Sequence, residues 1–134
     1  RRAAVGTDQN RLAMLLAVLH RHGGMHVADQ DVFVNVVAGV KVNETSADLA
    51  LLSAVVSSFR NRALPQDLVI FGEVGLSGEI RPVPSGQERI YEAAKHGFTR
   101  ALVPKANVPR KPVDGMKVIP VTKLSDALSA LEEL

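Results

Sequence analysis

Two periodicities alternate along this chain, and their alternation limits the folds open to it more than any single motif does. Leu12, Leu15, Leu16 and Leu19 recur at helical spacing behind Thr7-Asp8-Gln9-Asn10, which offers an N-cap, and Gly23-Gly24 stops the pattern. Asp31-Val32-Phe33-Val34-Asn35-Val36-Val37 is β-branched and aromatic, which predicts a strand closed by Gly39 and leading into Val40-Lys41-Val42. Helical spacing returns with Leu49, Leu52, Val56 and Phe59 as one apolar face, up to Arg60-Asn61-Arg62 and Pro65. Leu68-Val69-Ile70-Phe71 fits a short buried strand, and the glycines of residues 72–81 punctuate a turn between two strands. Ser85 and Glu88 stand at capping-box spacing ahead of a third helix ended by Gly97. Arg100-Ala101-Leu102-Val103-Pro104 and Lys117-Val118-Ile119-Pro120 are strand candidates on either side of a proline-rich polar loop carrying Lys105, Arg110 and Lys111. Leu124, Leu128 and Leu131 mark a final helix. Helices alternating with short apolar strands predict an α/β (α+β) layer fold, with helices covering a mostly buried sheet and residues 1–134 forming a single domain.

Composition narrows the chemistry. The 134 residues include no cysteine, so disulfides, thiolate metal sites and cysteine nucleophiles are excluded. An apolar content of 46% suffices for one core. No apolar run approaches the roughly 18 residues of a membrane span, and the start, Arg1-Arg2-Ala3-Ala4, has no signal-type apolar region behind it. A cytoplasmic protein with no membrane partner is expected, and the start without methionine suggests a domain cut from a longer protein. With a net charge of +2 and only 4% aromatic residues, any nucleic-acid binding rests on phosphate contacts more than on base stacking.

Three stretches invite a chemical reading. Thr45 followed by Asp48 resembles a capping box, which places Ser46 on a first helical turn, where backbone N–H groups and the helix dipole favour developing negative charge. Ser46 is therefore either a nucleophile or part of a helix end. His20, Arg21 and His22 fall in the last turn of the first helix and complement its dipole. A metal site with His26 is not expected, because His20 and His22 lie on different helix faces. The glycines of residues 72–81 do not form a phosphate loop, since no Gly-Lys pair occurs in the chain, so no ATP site of that type is expected here.

From about Thr7 to Leu134 the chain also carries a resemblance. The run Phe71-Gly72-Glu73-Val74-Gly75-Leu76-Ser77-Gly78-Glu79-Ile80-Arg81-Pro82-Val83, with Lys95-His96-Gly97-Phe98 and Val103-Pro104, resembles the proteolytic domain of Lon proteases. Asp29-Gln30-Asp31-Val32-Phe33-Val34-Asn35-Val36, Glu44-Thr45-Ser46-Ala47-Asp48-Leu49-Ala50 and Gly86-Gln87-Glu88-Arg89 are similar to the C-terminal Lon-like domain of the bacterial RadA (Sms) family. The resemblance implies a fold like the second domain of ribosomal protein S5. It also implies a place behind a zinc finger and a RecA-like ATPase, which hold zinc and ATP with magnesium. The implied whole is a hexameric ring that moves on single-stranded and branched DNA, promotes branch migration in recombination and repair, and works with the recombinase RecA.

Carried over residue by residue, the resemblance puts Ser46 at the position of the Lon nucleophile and Gln87 at that of the catalytic lysine. A Ser-Lys dyad needs a basic nitrogen to take the hydroxyl proton, and glutamine has none. Arg89 stays protonated and cannot replace it. Asp48 or Glu88 would act only as weak bases near a helix N-terminus. The domain is thus expected to be a non-catalytic scaffold with no catalytic residues, no metal and no cofactor of its own. The alternative is a Lon-type serine peptidase with an unorthodox base. The expected DNA contacts are the basic residues near the former site, Lys41, Arg81, Arg89 and Arg11, ahead of the Lys105, Arg110 and Lys111 loop.

Overall fold

The structure, a computed structural model, describes residues 1–37 and 44–134. Its elements follow in the order β1 (Arg2–Val5), α1 (Gln9–Gly23), β2 (Val32–Asn35), a 3-10 turn (Thr45–Ala47), α2 (Asp48–Arg60), β3 (Leu68–Ile70), β4 (Glu73–Val74), β5 (Ile80–Arg81), α3 (Gly86–Lys95), β6 (Arg100–Pro104), a second 3-10 turn (Lys105–Asn107), β7 (Lys117–Val121) and α4 (Leu124–Glu132). Helix and strand alternate as expected, and the fold is α/β.

Among the described residues, three small sheets organise these elements. β1 and β2 run parallel, with Ala3 opposite Phe33, and α1 forms the crossover between them. β6 lies between β3 and β7 in a second parallel sheet, Leu102 standing opposite both Ile70 and Ile119. β4 and β5 pair antiparallel as a hairpin.

Period-two alternation on β6 explains why both faces of the second sheet are covered. Leu102 enters the main core with Leu12, Leu15 and Leu19 of α1, Leu49, Leu52 and Val56 of α2, and Leu124, Leu128 and Leu131 of α4. Its neighbours Ala101 and Val103 turn the other way and pack with Phe71, Val83 and Ile90 of α3. Each helix thus spends its apolar stripe on one side of a thin sheet.

The first helix begins as its sequence dictates. Asp8 is the N-cap, its carboxylate accepting the Asn10 N–H at 3.1 Å, and Gly24 closes the helix in the left-handed conformation with its N–H donating to Leu19 O. β1 was not expected. Its residues Arg-Ala-Ala-Val carry no strand signal of their own, and the strand exists because Val32 and Val36 N–H groups donate to Arg1 O at 2.8 Å and Val5 O at 2.9 Å. Arg2 locks the turn beyond, its guanidinium donating to Val27 O at 2.7 Å. Phe59, expected inside with the rest of its helical face, is 47% exposed. The expected continuation of β2 towards Val42, with Gly39 as its close, lies outside the described residues.

At the foot of the second sheet, Asp67 accepts from Arg100 Nε at 2.9 Å and Nη2 at 2.8 Å and from the Thr99 hydroxyl. Arg100 first and Thr99 second hold its carboxyl below the ordinary value of 3.8. A depressed carboxylate contributes stability that is complete above its unfolded value and is lost as the pH falls below it. Asp67→Asn is therefore expected to lower stability in the neutral region and to flatten the acid limb below about pH 4, the variant and wild-type curves converging in strong acid. Chemical denaturation at several pH values measures this, and a parallel acid limb in the variant would refute it.

Candidate functional site

The segment carrying Ser46 is held from two sides. Gly72 N–H donates to Ser46 O at 2.9 Å, and Leu49 N–H donates to Gly72 O at 3.0 Å, so the 3-10 turn and the start of α2 are stitched to the end of β3. Glu44 reaches Arg89 on α3 at 3.3 Å, and Arg89 also donates to Pro84 O at 3.1 Å and lies 6.0 Å over the Phe71 ring. These contacts tie the Ser46 turn to the first turn of α3, which carries Gln87. The two neighbourhoods that the sequence singles out are therefore adjacent through the residues two places away from each.

The capping box expected at Thr45 and Asp48 does not form. No side chain caps either the 3-10 turn or α2, whose N-cap is Ala47. Asp48 is drawn elsewhere: its Oδ1 accepts Arg11 Nε at 3.1 Å, Oδ2 accepts Arg11 Nη2, and Oδ2 also accepts the Val74 N–H at 3.0 Å. At 3% exposure a carboxylate needs such partners more than a helix N-terminus needs a cap. The capping box at Ser85 and Glu88 is likewise absent. Ser85 is the N-cap but sits at φ 58° in the left-handed region and makes no side-chain cap bond. The α3 entry is fixed instead by Asn107, whose Oδ1 accepts Val83 N–H at 2.8 Å and whose Nδ2 donates to Val83 O at 3.1 Å. Gly86 is required there, because a Cβ would stand 2.3 Å from the Asn107 amide.

Ser46 is 4% exposed, and its Oγ is buried without a hydrogen-bond partner among the described residues. Gln87 and Glu88 are exposed. Both oxygens of Asp48 are occupied. The Glu44 carboxyl is held below its ordinary value first by the neighbouring Ser46 hydroxyl and then by Arg89, which weakens it as a proton acceptor.

The expected DNA ligands fare unequally. Lys41 lies outside the described residues. Arg81 is half exposed and paired with Glu73 at 3.5 Å and Glu79 at 3.1 Å, Glu79 chiefly raising its pKa. Arg89 is paired with Glu44. Arg11 is committed to Asp48 and is the least exposed of the three described arginines. Lys105, Arg110 and Lys111 are exposed and form no ion pair among the described residues. A larger concavity of about 760 Å³ opens between β2 and α2, lined by Val32, Val34, Leu51, Val55 and Phe59. Neither Ser46 nor Gln87 lines it. Nothing in the sequence pointed to it, since it exists only where the two elements meet.

The comparisons with known proteins bear on this geometry. The family described as Subunit ChlI of Mg-chelatase matches residues 2–107. The chain belongs to that family. The proteins named DNA repair protein RadA from Salmonella typhimurium and Escherichia coli are each 75% identical to it over 134 residues, and that from Aquifex aeolicus is 49% identical over 130. All of the chain is covered in the first two matches and 97% in the third, whereas the chain spans 29% of the length of each of these curated relatives. The matching part is the C-terminal part of those proteins, as the sequence resemblance to the RadA family leads one to expect. Among the described residues no helix is long and apolar enough to cross a membrane.

Proposed function

We propose that this chain is the non-catalytic scaffold and DNA-binding domain of a RadA-type DNA repair protein. The observation that carries the reading is 75% identity across all 134 residues with relatives named for DNA repair. The family name refers to a chelatase subunit, but those relatives cover the whole chain at far higher likeness than a shared domain requires. They support a DNA repair role for the protein that carries this chain.

In the proposed protein, segments beyond this chain supply the ATPase, with ATP and magnesium, and the zinc finger. The assembled product is a cytoplasmic hexameric ring that drives branch migration on single-stranded and branched DNA alongside RecA. The Lon-like, S5-like form of the domain is part of the same proposal. Subunits in a ring repeat the same few cations, so modest phosphate contacts add up without base specificity. Arg81 and Arg89 suit that use, because exposed ion pairs are worth about 0–1 kcal/mol and a phosphate can replace a carboxylate at little cost. Arg11 does not, because its partner is buried. Sedimentation of the chain with and without DNA tests assembly and binding together. A monomer that ignores DNA at low salt would refute autonomous action of the domain.

The rival reading, a serine peptidase with an unorthodox base, is disfavoured by the unpartnered burial of Ser46 Oγ and the occupied oxygens of Asp48. Serine-directed phosphonates are expected to leave Ser46 unlabelled, and Ser46→Ala to preserve DNA handling. Since the hydroxyl has no hydrogen-bond partner among the described residues, its removal should change stability by less than about 1 kcal/mol. Stoichiometric labelling of Ser46 would decide for the peptidase.

A further inference from the structure

Outside the Ser46 region, one pair of chemistry-bearing side chains is brought together by the fold and used by nothing described above. His20, on the last turn of α1, and His26, beyond the reversal at Gly24, meet edge to face with ring centroids 5.1 Å apart and planes inclined by 69°. The sequence set aside a metal site because His20 and His22 lie on different helix faces. His22 does turn away, packing against the β4–β5 turn, where a Cβ on Gly78 would come within 2.7 Å of the His22 Cβ. The partner of His20 is instead six residues on, a juxtaposition that only the helix-ending turn creates.

The pairing is rigidly framed. Gly24 N–H and Met25 N–H both donate to Leu19 O, which folds the chain back on itself. Leu19 on one side and Met25 and Val27 on the other are buried and anchor the backbone that carries both rings. Both imidazoles are exposed, and neither has a carboxylate within ion-pair distance among the described residues. No ion pair in the fold therefore accounts for their approach.

We propose that His20 and His26 form a two-imidazole site for a borderline divalent cation such as copper(II), nickel(II) or zinc(II). Imidazole nitrogens bind these ions at about 2.1 Å, which puts each ring centroid roughly 3.2 Å from the ion, so two rings on one ion at an angle of about 100° have centroids about 5 Å apart. The observed separation matches that spacing. Because the rings are exposed, their broad, roughly two-fold χ2 torsion lets either nitrogen turn to the shared point. Among the described residues no cluster of three or more His, Cys, Asp or Glu stands together. Water therefore completes the coordination, and the site is an open, exchangeable one that takes a hydrated ion, with copper(II) bound most tightly.

Calorimetric titration of the chain with copper(II), nickel(II), zinc(II) and magnesium chlorides at neutral pH, followed by NMR of the imidazole ring protons, tests this. One equivalent of copper(II) or nickel(II) is expected to bind, magnesium is not, and the resonances of His20 and His26 should broaden first. His20→Ala and His26→Ala should each weaken binding about a hundredfold, the chelate advantage of two linked ligands, while His22→Ala should leave it unchanged. His26→Gln provides a second, conservative variant, and circular dichroism confirms that each variant keeps the fold. No binding of copper(II) or nickel(II), a loss in only one of the two alanine variants, or equal loss in His22→Ala would overturn the proposal.

Discussion

Arg11→Ala is expected to lower folding stability by about 3–5 kcal/mol, because it leaves the Asp48 carboxylate buried with a single backbone N–H for company. Asp48→Ala should cost somewhat less. Arg11 keeps 30% of its side-chain surface in water and can solvate its charge, so the main penalty there is the Val74 N–H left without an acceptor, about 1–3 kcal/mol. Asp48→Asn retains an acceptor for Val74 and should fall between the wild type and Asp48→Ala. Replacing both partners by apolar residues of similar size should recover much of the loss, since desolvating the pair costs nearly what the pair returns. Urea denaturation of the four variants measures the series. Equal stability of Arg11→Ala and the wild type would show that Asp48 does not depend on its cation.

How far the sequence announces this arrangement depends on whether a feature is local. The cap at Asp8, the left-handed close at Gly24 and the β4–β5 hairpin among the glycines of residues 72–81 are written in adjacent residues, and the structure has them. β6 spans Arg100–Pro104, where its β-branched and apolar run lies, and Leu124, Leu128 and Leu131 are all buried on α4. β1 was illegible because its pairing partner lies thirty residues away and alanine and arginine carry little strand preference. Both expected capping boxes failed for tertiary reasons. Asp48 answers to Arg11 across 37 residues and Ser85 to a backbone clamped by Asn107, and neither influence can be read from a four-residue spacing. The candidate site divides the same way. The Ser46 turn is linked to α3 through the Glu44–Arg89 pair, and Arg11 is paired with the buried Asp48, neither of which a local spacing announces.

The largest functional effect is expected when the exposed arginines are reversed. Arg81→Glu and Arg89→Glu should each weaken binding to single- and double-stranded DNA without altering sequence preference, because phosphate contacts carry none. Lys41→Glu belongs to the same set. Each contact removed should flatten the log–log dependence of affinity on salt by about one unit per contact, which separates a phosphate ligand from a residue needed only for folding. Arg11→Glu supplies the contrast: it should lose DNA only as the fraction folded falls, with the slope unchanged. The ion pairs yield a test of opposite sign. Glu44→Gln frees Arg89 from its carboxylate and Glu79→Gln leaves Arg81 with Glu73 alone, at 3.5 Å, and each should strengthen DNA binding and steepen the salt slope, the first more than the second. A pair that merely props the fold would show the reverse. Reversal of Lys105, Arg110 and Lys111 should matter less, although these three carry no competing acid among the described residues. If the loop variants abolish binding while Arg81→Glu and Arg89→Glu retain both affinity and slope, DNA lies against the β6–β7 connection, and the Ser46 face is left with assembly as its role.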